Sequence, residues 1–158
     1  MGEPEERVDV AGDGLLHPVP LLCIGLLLLN DHVLKDAFHN AVTGKLSDVA
    51  GLAFFPLVLQ ALWEGTLTLL RRPWRPTRRS LHVSAAATAL FFGAVQLWTP
   101  AADFYRWALG VLQWPAHAVA AGGLVAVVPV AVWQDPWDLV ALPAVGIAVV
   151  VGWSRATP

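Results

Sequence analysis

The chain has 158 residues, of which 56% are apolar and only 14% charged, with a formal net charge of −2 and a positive mean hydropathy. A soluble domain carries about a quarter charged residues, so this composition excludes an ordinary soluble fold and points to an all-α polytopic membrane bundle. The length allows one compact bundle and no second domain of useful size. The single Cys23 lies inside an apolar run, which excludes disulfides and cysteine-based zinc sites within one chain.

An acidic tail at 1–14 precedes one membrane domain at 15–158. A crossing helix needs about twenty mostly apolar residues, and the first such stretch is 15–34. It reaches that length only by including Asn30, Asp31 and His32, and Pro18 and Pro20 fall at its start, where a missing N–H costs least. The second span is 49–70, with Pro56 as an expected kink. The third is 81–98, and the last is 139–153, beginning after the turn and helix-start sequence Asp135-Pro136-Trp137-Asp138. Between them, 102–112 suits a short interfacial helix. The stretch 116–133 is apolar enough for a fifth span, but its Gly122-Gly123, Pro129 and valine run fit an extended hairpin as well. Four core spans are the preferred reading, because they gather the costly polar groups on one side. Eight Trp residues, mostly near the ends of apolar segments, read in part as interfacial anchors.

Five of the ten Lys and Arg fall within 71–79, so the positive-inside rule places that loop and the N-terminus in the cytoplasm and the loop at 35–48 outside. The expected location is the inner membrane of a bacterium. No cleavable signal sequence is expected, since a small-residue cleavage site is missing. Topology and anionic lipid contact account for the arginines, and no nucleic-acid partner is expected. The expected partners are the bilayer, a second copy or another membrane protein. The four-residue small stripes Ala85, Ala89, Gly93 and Ala144, Ala148, Gly152 suit close helix packing.

Ionisable residues near the hydrocarbon cost a few kcal/mol each unless they pair or face water. The candidate polar site therefore comprises Asn30, Asp31, His32, Lys35, Lys45, Ser47, Asp48, Asp135 and Asp138. Asp31 and Lys35 stand four apart, as do His32 and Asp36, which suits self-neutralising pairs on a continuing helix. Asp31, His32, His39 and Asp48 are weak candidates for a divalent metal, and His32 beside Asp31 or Asp48 suits a proton acceptor. Neither a nucleotide nor a haem motif is present, and the cofactor is open. On the second span Gln60, Glu64 and Thr68 share a face near the arginine loop, where pairing of Glu64 with Arg71, Arg72 or Arg75 is expected.

The segments Asn-Asp-His-x-Leu-Lys at 30–35, Thr-Gly-Lys-Leu-Ser-Asp-x-Ala-Gly-Leu at 43–52 with Phe55-Pro56, and Asp-Pro-x-Asp-Leu-x-Ala-Leu-Pro at 135–143 cover roughly a quarter of the chain. In these motifs the chain resembles a group of small bacterial multi-pass membrane proteins to which no activity attaches. The resemblance implies an intact membrane protein and implicates those polar positions. In that group the segment before the Asp-Pro motif is short and polar, which favours four spans; here it is apolar. Two function classes follow: a noncatalytic binding, assembly or transport component, and a membrane enzyme, metal-dependent or not, using His32.

Overall fold

A computed structural model of the chain describes residues 10–34 and 41–157. It is all-α, with five helices: α1 Pro18–Leu29, α2 Ala41–Leu69, α3 Arg78–Leu97, α4 Thr99–Ala120 and α5 Val145–Trp153. Three segments, Thr43–Leu69, Arg78–Leu97 and Pro136–Trp153, are long and apolar enough to cross a membrane. The large apolar side chains they leave exposed, among them Leu62, Leu69, Val83, Leu90 and Val150, suit a hydrocarbon environment and not water. The chain is built as a multi-pass membrane protein.

The helices depart from the simple count of apolar residues. The first stretch is not one α-helix. A 3-10 turn, Asp13–Leu16, precedes the twelve-residue α1, and a π-helical turn, Asn30–Leu34, follows it. Pro18 takes the first helical position, where it lacks only an N–H that has no intrahelical partner, and His17 Nδ1 accepts the N–H of Val19 at 3.2 Å. The α2 helix begins at Ala41, earlier than the apolar boundary suggests, and contains Pro56. The last crossing segment begins as a nine-residue 3-10 helix, Pro136–Ala144, and ends as the nine-residue α5. Pro143 cannot supply an α-helical N–H, consistent with a first half wound as 3-10 helix and not as α-helix. With a rise of about 2 Å per 3-10 residue and about 1.5 Å per α residue, the two halves reach about 31 Å, matching a hydrocarbon core of about 30 Å.

Contacts divide the chain into two compact units: Met1–Ala89 with Val140–Pro158, and Leu90–Leu139. In the first, Leu57, Leu81, Ala148 and Val151 form the core, with Leu15, Val19 and Val149 packed against them. The small residues of α5 let it approach closely: a Cβ at Gly152 would lie 2.8 Å from Leu81 Cδ1. Ala144, Ala148 and Gly152 are all buried, as their spacing suggests. The α3 helix starts with a reciprocal capping box, in which Thr77 Oγ1 accepts the Ser80 N–H at 3.1 Å and Ser80 Oγ accepts the Thr77 N–H at 3.4 Å. The same corner holds the C-terminal segment, since the Thr157 N–H donates to the Pro76 carbonyl and the Arg78 N–H to the Thr157 carbonyl. Arg78 lies over the Trp153 ring, 4.5 Å from its centroid.

In the second unit, α4 extends from Thr99 to Ala120, twice as far as the short interfacial helix expected from the sequence. Gly122 then adopts φ +68°, with its N–H on the Val119 carbonyl and the Gly123 N–H on the Ala118 carbonyl. This Schellman pair ends the helix. The following stretch is neither a spanning helix nor a strand hairpin. It is irregular chain laid along α4: Trp114 Nε1 donates to the Val125 carbonyl at 2.6 Å, the Val130 N–H donates to the Arg106 carbonyl, and Arg106 Nε returns a bond to the Val130 carbonyl. A Cβ at Gly110 would collide with the Val128 carbonyl, so glycine permits this close passage.

Candidate functional site

Asn30 closes α1 and opens the π turn, and it is fully buried. Its Nδ2 donates to the Thr43 carbonyl at 2.7 Å and to Ser47 Oγ at 2.6 Å, joining the end of α1 to the first turns of α2. These bonds explain why a polar string can continue α2 as helix: the polar groups satisfy one another. Asn30 Oδ1 is also buried and has no hydrogen-bond partner among the described residues. Such an atom costs about 1–3 kcal/mol unless a ligand, ion or water meets it. A π turn is itself a costly local geometry that is frequent at functional sites.

Asp31 and His32 belong to this turn by backbone. Their side chains fall outside the described residues, as do Lys35 and His39, so the metal set and the His32 acid–base pair lie outside the described geometry. Lys45, Ser47 and Asp48 are partly buried in the opening turns of α2. Among the described residues no group of three or more His, Cys, Asp or Glu is poised to hold a metal.

Asp135 and Asp138 belong to the second unit. There Asp135 Oδ1 accepts the Trp137 N–H at 2.9 Å, which starts the 3-10 helix. Gln96 ties down both acids: its Oε1 accepts the Asp135 N–H at 3.1 Å, and its Nε2 donates to Asp138 Oδ2 at 3.3 Å. These bonds give the Asp-Pro motif a structural role at a helix start.

A second polar centre, of which sequence reading found only the stripe on α2, lies at the other end of α1. Glu64 is 6% exposed, and its carboxylate accepts the Gly12 N–H at 3.0 Å and Gln60 Nε2 at 3.0 Å. Arg71, Arg72 and Arg75 form no ion pair with it among the described residues. Arg155 instead pairs with Asp13 and also donates to its carbonyl, clamping the segment before α1 to the chain after α5. A cavity of about 840 Å³ opens here, lined by His17, Gln60, Glu64, Arg75 and Arg155 among others. The only sequence signal was the Gln60 and Glu64 stripe, because Gly12 meets Glu64 across 52 residues through its backbone.

Comparison with protein-family models, curated proteins and solved structures gives no match to this chain.

Proposed function

We propose that the chain is a noncatalytic component of a bacterial inner membrane that binds a polar ligand, ion or partner at the extracytoplasmic end of its first two helices. In this reading four segments cross: 15–34, α2, α3 and 136–153, with the acidic tail at 1–14 and the arginine loop in the cytoplasm. The motif likeness to small bacterial multi-pass proteins belongs to the same reading. Alone, α1 reaches only about 18 Å, but the 3-10 and π turns on either side lengthen the first crossing. The irregular chain of the second unit suits a position outside the hydrocarbon, where its backbone groups can reach water.

The observation that carries the binding reading is the buried Asn30 Oδ1, left open where two motif segments meet. Asp31, His32 and Lys35 neighbour Asn30 in sequence, and Lys45, Ser47 and Asp48 belong to the opening turns of α2, to which Asn30 bonds. The test is metal analysis and native mass spectrometry of the full chain purified in detergent. A stoichiometric metal or small polar species held by the natural chain, and lost in Asp31→Asn and Asp48→Asn, is the expected result. A chain that retains nothing, or variants that retain as much, would contradict it.

A further inference from the structure

The arginine-rich end of the first unit carries a groove of about 480 Å³ between α2 and α3, separate from the Asn30 site and lined by Leu59, Trp63, Arg79, Val83, Ser84 and Ala87. Its polarity is graded. Arg79 stands at the mouth, exposed and with no hydrogen bond or ion pair among the described residues. Ser84 lies deeper and is only 9% exposed, yet its hydroxyl has no hydrogen-bond partner among the described residues. Ala87, three residues further along α3, and Leu59 of α2 line the groove with apolar surface only. Thr77 and Ser80 also line the mouth, but their hydroxyls are engaged in capping α3, leaving the charge of Arg79 to recognise what enters.

We propose that this groove holds one anionic phospholipid from the leaflet beside the arginine loop. The order of chemical groups along α3 matches that of such a lipid: a cation for the phosphate, a hydroxyl donor for the ester carbonyl, then apolar wall for the acyl chain. Arg79 and Ser84 are five residues apart, about 7.5 Å along the helix, so a phosphate and an ester carbonyl of the same molecule reach both. Arg71, Arg72, Arg75 and Arg78 on the same loop add to the attraction for an anionic headgroup. A bilayer supplies this ligand at the open side of the groove, where Trp63 and Val83 are exposed.

The test is native mass spectrometry of the delipidated full chain, titrated with phosphatidylglycerol and separately with phosphatidylcholine of the same acyl chains. A single phosphatidylglycerol is expected to bind in preference to phosphatidylcholine. Arg79→Gln should reduce that preference about fivefold, whereas Arg72→Gln, outside the groove, should leave most of it. Ser84→Leu fills the groove and should remove the one-lipid complex, and Ser84→Ala, which keeps the fold, should weaken it about threefold. Equal binding of the two lipids, equal losses in Arg72→Gln and Arg79→Gln, or undiminished binding in Ser84→Ala would each overturn the proposal.

Discussion

Asn30 and Ser47 meet at 2.6 Å across 17 residues, binding the π turn after α1 to the first turns of α2. Removing the amide in Asn30→Ala deletes both of its bonds to α2, to the Thr43 carbonyl and to Ser47 Oγ, and should destabilise the chain by about 1–3 kcal/mol. Asn30→Asp should cost at least as much, because a carboxylate oxygen then faces the Thr43 carbonyl. Reversible unfolding in mixed micelles measures both. An effect below about 0.5 kcal/mol in both variants would mean that this bond does not hold the two helices together.

Glu64 restrains the segment before α1 through the Gly12 N–H, and the Asp13–Arg155 pair restrains it from the C-terminal side. In Glu64→Ala the Gly12 amide loses its acceptor, so hydrogen exchange at residues 12–16 should accelerate while exchange in the middle of α2 stays slow. Arg155→Gln should do the same more weakly, because its partner Asp13 is half exposed. Unchanged exchange at Gly12 in Glu64→Ala would contradict the clamp.

Arg71 ends α2 with φ 53°, its N–H on the Thr68 carbonyl and the Arg72 N–H on the Leu67 carbonyl. This is a Schellman ending with arginine where glycine is the usual residue. Arg71→Gly should stabilise the chain by about 0.5–1 kcal/mol through relief of the left-handed strain. A destabilised variant would show that the arginine side chain contributes more than its backbone costs.

The helical class and the long apolar segments were readable from composition and length, because a bilayer demands both. Segment boundaries were less readable. The polar string at 43–48 looked like a loop leading into a span, yet Asn30 satisfies it and α2 starts at Ala41. The π turn carries no sequence period, and the valine-rich stretch at 124–133 has strand propensity but pairs with α4 through one bond at Trp114 and two at Arg106. Asn30 and Ser47 were singled out by the cost of polar groups near hydrocarbon, and the structure joins them by a hydrogen bond. The Glu64 centre was only half visible, since its main partner is a backbone N–H.

The orientation predicts that Val33, exposed beside the first loop, faces the outside. A Val33→Cys chain in which Cys23 is replaced by Ala should react with a membrane-impermeant thiol reagent in intact cells. Arg72→Cys should react only after the inner face is opened. The opposite pattern would reverse the topology and move the Asn30 site to the cytoplasmic side.

The central claim is that Asp31 and Asp48 act within one site and are not independent residues tolerated at a membrane surface. A double-mutant cycle of Asp31→Asn and Asp48→Asn, read as unfolding free energy of the full chain in micelles, tests it directly. Residues sharing one network couple by about 0.5–3 kcal/mol, and a coupling in that range is the predicted result. Strict additivity of the two changes would contradict a shared site and leave two separate surface carboxylates.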